Sequence, residues 1–209
     1  MKLYFASHCC SLTPHIVLQE LGLPYDLVRV DIRTKRTSDG RDFLTVNPKG
    51  YVAALELSSG DIITECPAIV QYLADLSPSA KLAPAAGTLG RVRLQEWLSY
   101  ISGELHASLA PLFNPALPEA ARDIFTAKVA ARLAVVEAAL AADNREYLLG
   151  DDVGFTVADA FLFVILGWLP LFKIDLAAWP RTAALARRVE ARPSVAAALA
   201  REAEAPEVK

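Results

Sequence analysis

Apolar and polar positions follow two different rhythms along this chain, and the change between them divides it. In the first part the apolar runs are short and bounded by turn signals. Leu3-Tyr4-Phe5 reads as a strand. Ile16, Val17, Leu18 and Leu21 then fall at helical spacing, and Gly22 supplies a stop. From Tyr25 to Ile32, Leu27, Arg29 and Asp31 alternate with Val28, Val30 and Ile32, which predicts a second strand. Asn47-Pro48-Lys49-Gly50 is a turn, Val52 to Leu57 a strand, and Ser58-Ser59-Gly60-Asp61 a hairpin leading into Ile62-Ile63. Thr64-Glu65-Cys66-Pro67 opens a helix whose apolar face is Ile69, Val70, Leu73 and Leu76, with Pro67 suited to the first turn.

Beyond Pro78 the rhythm is helical throughout. Leu94, Leu98, Ile101, Leu105, Leu109 and Leu112 recur at steps of three and four, as one long amphipathic helix would place them. Ile124, Val129, Leu133, Val136 and Leu140 repeat the pattern. Thr156-Val157-Ala158-Asp159 has the form of a capping box ahead of the apolar run Ala160 to Phe172, which reads as a buried helix. That pattern gives Asp159 a complete structural explanation. The β-α-β, β-β-α order followed by helices alone predicts an α/β domain over 1–80 and an all-helical domain over 88–209. The Pro-, Ala-, Ser- and Gly-rich stretch Ser77 to Thr88 joins them.

Composition narrows the function classes. The net charge of -3 argues against nucleic acid as a partner, which would need a clustered basic face. The nearest candidate, Arg29, Arg33, Lys35 and Arg36, reads as solvated surface beside Asp31. Apolar residues reach 54%, yet the longest apolar run falls short of the roughly 18 residues that a membrane span requires. Met1 to Phe5 is followed by His8 and two cysteines rather than an apolar leader, so no secretory signal is expected. Three cysteines, two of them adjacent, do not make a disulfide framework, and a reducing cytoplasm is the expected compartment.

Cys10 is the chief candidate for chemistry. It follows a strand and precedes a helical turn, where the positive end of the helix lowers a thiol pKa, and His8 or His15 could add to the effect. A small buried apolar role is the alternative for Cys10, and Cys9 reads as structural. Glu65-Cys66 marks a second helix start, suited to an amino-acid head group: backbone N–H groups for a carboxylate, Glu65 for an ammonium. His106 sits at the margin of the apolar stripe on the long helix, and Trp97, Trp168 and Trp179 read as packing residues.

Met1-Lys2-Leu3-Tyr4, Cys10-Ser11-Leu12 with His15, Val46-Asn47-Pro48-Lys49-Gly50, Thr64-Glu65, Gln71-Tyr72-Leu73-Ala74-Asp75, Glu96-Trp97-Leu98, Glu104-Leu105-His106 and Phe155-Thr156-Val157-Ala158-Asp159-Ala160 occur in that order. The ordered set resembles the bacterial beta class of cytosolic glutathione transferases over nearly the whole chain. The resemblance implies a thioredoxin-like N-terminal domain, an all-helical C-terminal domain, a homodimer, and glutathione as co-substrate with a small apolar electrophile or a disulfide. It implies that Cys10 contacts the glutathione sulfur and can form a mixed disulfide with it, and that His106 faces the same sulfur from the helical domain. Lys35 would contact the glycyl carboxylate, the Val52 backbone the cysteinyl part, and Glu65 with Cys66 the γ-glutamyl end.

Three departures from the class pattern stand out. Ala53 replaces a cis-proline, Cys66 a serine or glycine, and Ser99 and Gly103 the Asn and Thr through which a partner subunit reaches the ligand. They point towards weakened or altered glutathione binding. Hence there is a second expectation beside the enzyme, a non-catalytic binding module on the same fold. A zeta-type isomerase is disfavoured, because Ser7-His8-Cys9-Cys10 does not reproduce that class's Ser-Ser-Cys opening. Conjugation and thiol–disulfide or peroxide reduction both stay open.

Overall fold

The computed structural model describes residues 1–208. Its elements are β1 (Lys2–Phe5), α1 (Leu12–Leu21), β2 (Asp26–Asp31), β3 (Arg36–Thr37), α2 (Phe43–Val46), β4 (Ala54–Glu56), β5 (Ile62–Thr64), α3 (Cys66–Leu76), α4 (Leu89–Tyr100), α5 (Ala107–Leu109), α6 (Glu119–Ala142), α7 (Val157–Leu166), α8 (Pro180–Glu190) and α9 (Pro193–Glu204). The chain forms two compact units. One comprises Met1–Lys81 together with residues 191–208, and the other Leu82–Glu190.

In the first unit five strands lie in the order β3-β2-β1-β4-β5. β1 runs parallel to β2, with Leu3 opposite Leu27, and antiparallel to β4, with Leu3 opposite Leu55. β5 returns antiparallel to β4 through the expected hairpin, closed by Leu57 N–H to the Asp61 carbonyl at 2.9 Å. Alternation along β1 sends side chains to both faces. Tyr4 and Ala6 pack with Val28, Val30, Ala54 and with Phe43 and Val46 of α2. Phe5 points the other way, its ring 6.5 Å from His15 of α1. Both faces are therefore covered, as a mixed sheet with buried strands requires.

Helix α9 belongs to this unit and packs on α1, whereas the sequence division assigned all of 88–209 to the helical part. Three contacts fix it there. His15 Nδ1 meets Glu202 Oε1 at 3.0 Å with both side chains buried, and Arg192 grips Glu20 at 2.6 and 2.9 Å. Arg29 donates to the carbonyls of Glu202 at 2.6 Å, Ala205 at 3.1 Å and Pro206 at 3.2 Å, to Ser7 Oγ at 2.7 Å, and lies over the Phe5 ring. The reading of Arg29 as solvated surface is thus corrected: the carbonyls at the end of α9 recruit its guanidinium inward.

The second unit contains helices and no strand among the described residues. The stripe expected to run along one long helix is carried by α4, then a π-helical stretch (Ile101–His106), then α5 and a 3₁₀ turn at Ala110–Phe113. Leu98, Ile101, Leu105 and Leu109 are all buried along it. On α6, Val129, Leu133, Val136 and Leu140 are buried, but Ile124 is 67% exposed. It precedes Val129 by five residues, which turns it roughly 140° round the helix and off the stripe. The buried helix α7 ends at Leu166, and a 3₁₀ turn (Leu169–Phe172) completes the apolar run.

The capping box forms as expected. Asp159 is fully buried and accepts from the Thr156 N–H and hydroxyl, both at 2.8 Å, and from the Leu148 N–H at 2.9 Å. Among the described residues, no helix is long and apolar enough to cross a membrane, and no cluster of His, Cys, Asp and Glu could hold a metal ion.

Candidate functional site

The first unit gathers five of the six sequence-predicted residues around the starts of α1 and α3 and the turns facing them. Cys10 lies in the turn between β1 and α1. Its carbonyl accepts the Thr13 N–H at 3.0 Å, so the residue is locked to the first helical turn. The residue is half-buried, and its thiol donates to the Val52 carbonyl oxygen at 3.3 Å. Val52 is buried just ahead of β4, and the Val52–Ala53 peptide bond is cis. The strand expected from Val52 begins only at Ala54, after that bond.

Cys66 is the first residue of α3 and is buried. Its thiol donates to the Cys10 carbonyl at 3.3 Å and is also a hydrogen-bond partner of the Cys10 sulfur. That second bond is the largest influence on Cys10 and lowers its pKa. Burial opposes it, and the backbone N–H groups of Cys10 and Ala53 add to the lowering. The same bond, with burial and the Cys10 charge, pushes the Cys66 thiol well above the ordinary range. Of the two thiols, Cys10 is therefore the easier to ionise and Cys66 the harder. Cys9 is different in kind: burial pushes its thiol up to about 11, and it packs beside the Tyr4 cluster.

Glu65 caps α3 at φ 73°, ψ 119°, a backbone region that costs an L-residue on the order of 1–3 kcal/mol. The Ala68 and Ile69 N–H groups, each 3.0 Å from its carbonyl, hold it there. Its exposed carboxylate meets Lys49 Nζ at 2.8 Å, and the same ammonium donates to Thr64 Oγ1 at 3.0 Å. Lys49 escaped sequence reasoning as a site residue, because Asn47-Pro48-Lys49-Gly50 carried only a turn signal. Lys35 also has positive φ, 58°. Its ammonium donates to the Gly50 carbonyl at 2.8 Å and sits 5.7 Å above the ring of exposed Tyr51. Gly50 itself needs φ 71°, and a Cβ there would lie 3.2 Å from Leu44 and 3.5 Å from the Lys35 stem.

His15 does not reach towards Cys10; its ring is wholly buried against Glu202, Phe5 and Tyr25. His106 belongs to the second unit. There it ends the π-helical stretch, with Trp168 at 5.0 Å and Phe161 at 6.5 Å, both edge-to-face. Ser99 and Gly103 lie exposed on the same unit, and nothing stands within 4 Å of a Cβ built on Gly103.

A thioredoxin-like unit with a cysteine of lowered pKa at its first helix, followed by an all-helical unit, defines a thiol-handling two-unit fold. Residues 8–76 match the family model for the N-terminal domain of glutathione S-transferases, and residues 100–193 that for the C-terminal domain. Glutathione S-transferase GstA of Escherichia coli O157:H7 is 40% identical over 202 residues, covering 97% of this chain and 98% of its own. The structure of a bacterial beta class glutathione S-transferase from Sphingomonas chungbukensis has a TM-score of 0.91 at 44% identity, covering 97% of this chain and 98% of that one. A sphingomonad glutathione S-transferase solved in complex with glutathione has a TM-score of 0.93 at 44% identity, covering 98% and 100%. This chain belongs to the glutathione S-transferase family, in its bacterial beta class.

Proposed function

We propose that this chain is a glutathione transferase whose first unit binds glutathione with its sulfur beside Cys10. The observation that carries this reading is Cys10, a half-buried residue fixed at the start of α1, with its thiol drawn towards the thiolate by Cys66. A glutathione thiol placed there shares the same donors and the same helix-end field, and the resulting thiolate attacks an electrophile or a disulfide.

The remaining residues divide the peptide between them. Glu65 and Cys66 take the γ-glutamyl end, the Val52 backbone the cysteinyl part, and the Lys35 ammonium the glycyl carboxylate. The Lys35–Gly50 and Lys49–Glu65 contacts support these assignments, because each keeps a charge extended at the site without burying it. Lys49 sets the pose of Glu65. His106 contributes to turnover, an assignment supported by the motif Glu104-Leu105-His106. The second substrate is a small apolar electrophile or a disulfide. The protein works as a homodimer in the cytoplasm, where its three free cysteines stay reduced.

The enzyme reading is favoured over the non-catalytic module by the glutathione S-transferase names of near-full-length relatives and by a Cys10 poised for chemistry. Two readouts test it together: retention on immobilised glutathione, and turnover of chlorodinitrobenzene or a disulfide. Retention with turnover is the expected result, and failure of both overturns it.

A further inference from the structure

A buried thiol that only fills space has no reason to face another sulfur. Cys66 lies 5% exposed at the start of α3, yet its Sγ reaches across to Cys10, 3.3 Å from that residue's carbonyl oxygen, close enough for the two thiols to shift each other's pKa. A carbonyl oxygen lies about 2.4 Å from its own Cα, so the contact keeps the Cys66 sulfur within about 6 Å of the Cys10 Cα. Cys9, the third and last cysteine, cannot substitute for it. It is Cys10's chain neighbour, so a bond between them would close a strained eight-membered ring, and its thiol packs against the Tyr4 side of the sheet.

We propose that Cys66 is a resolving cysteine for Cys10, so that the pair performs dithiol exchange with glutathione-type disulfides. This rests on the reading of Cys10 as the contact for the glutathione sulfur. In the first step the Cys10 thiolate attacks one sulfur of glutathione disulfide. A Cys10–glutathione disulfide forms, the original S–S bond breaks, and one glutathione leaves as thiolate and takes up a proton. In the second step Cys66 gives up its proton and attacks the Cys10 sulfur. The Cys10–Cys66 bond forms, the bond to glutathione breaks, and a second glutathione thiolate leaves and is protonated. Two cysteine thiols are oxidised, one disulfide is reduced to two thiols, and two electrons pass. Two glutathione molecules return the pair to the dithiol by the reverse exchange.

The order of events has a built-in trigger. While Cys10 is a thiolate, the hydrogen bond to it is the largest influence holding the proton on Cys66. Capping Cys10 as a mixed disulfide removes both that acceptor and its charge. Cys66, at a helix N-terminus, is then easier to ionise at the moment its nucleophile is needed. A serine or glycine at this position, as the class pattern has, could form no such bond.

The test exposes the full-length reduced protein to excess glutathione disulfide and follows its intact mass and peptide map. Wild type is expected to lose two hydrogens, with the Cys10 peptide linked to the Cys66 peptide, and the Cys9→Ser variant to behave alike. Cys66→Ser and Cys66→Ala should instead hold one glutathionyl group on Cys10, with a lifetime at least about tenfold longer than in wild type. A wild-type adduct on Cys10 as long-lived as that of Cys66→Ser, or a bridge that survives in Cys66→Ser, overturns the resolving role while leaving Cys10 as the glutathione contact. Absence of any adduct on Cys10 in Cys66→Ser overturns that contact itself, and the resolving role with it.

Discussion

The Cys66 thiol donates to the Cys10 carbonyl at 3.3 Å across 56 positions of sequence, and it brings the starts of α3 and α1 to one point. Both helices turn the partial positive charge of their N-terminal ends there. A thiol in this corner is held towards the thiolate, and a carboxylate or second thiolate is favoured beside it.

Removing the donor should weaken the convergence measurably. In Cys66→Ala the Cys10 pKa rises, so at pH 7 its thiolate fraction falls, and alkylation by iodoacetamide slows by about tenfold for each unit of rise. Cys66→Ser keeps a hydroxyl donor and should stay within a few-fold of wild type. The rate measured against pH, in a Cys9→Ser background, checks both variants. Equal profiles for Cys66→Ala and wild type would remove Cys66 from the site's electrostatics.

Arg29 is expected to be a stability residue. Its guanidinium gives four hydrogen bonds, three of them to carbonyls at the end of α9 and one to Ser7, and its side chain is only 12% exposed. Arg29→Ala leaves those carbonyls without their donor and should cost about 2–3 kcal/mol of unfolding free energy in urea. Limited proteolysis should then cut first after residue 190, where α9 begins to be released.

Asp159 gives a pH signature of definite sign. Burial raises its carboxyl from 3.8 to about 6, against the pull of its hydrogen bonds from Leu148 and Thr156. A folded-state pKa above the unfolded one means that the folded protein binds the proton more tightly. The stability this supplies is fully present below about pH 4 and is lost as pH rises through about 6. The stability difference between wild type and Asp159→Ala should therefore shrink by about 2–3 kcal/mol from pH 4 to pH 7. Urea titrations across that range would show it, and a difference that grows with pH would contradict it.

Local pattern carried much of this fold. Leu3-Tyr4-Phe5, the Gly22 stop, the Ser58–Asp61 hairpin and the Thr156–Asp159 box each have their cause within a few residues, and each formed where expected. β3 and α2 did not announce themselves, because two and four residues are too short for a periodic signal. The seat of α9 was hidden for another reason. Its buried residues Val195 and Ala198 fit any apolar face, and what chooses α1 is a set of polar contacts to Glu20, His15 and Arg29 spanning more than 170 positions. The site divides the same way. Cys10 and the Glu65-Cys66 helix start were visible as helix-end chemistry, while the bond between the two thiols and the Lys49–Glu65 pair exist only through the tertiary fold.

Glutathione chemistry at Cys10 is tested most directly by kcat/KM for a glutathione-dependent disulfide reduction in wild type and Cys10→Ala at pH 7. With unchanged thermal stability, the variant is expected to lose about a hundredfold or more, largely in kcat, because the group beside the glutathione sulfur is gone. Activity within about twofold of wild type would contradict the account and move the chemistry away from Cys10.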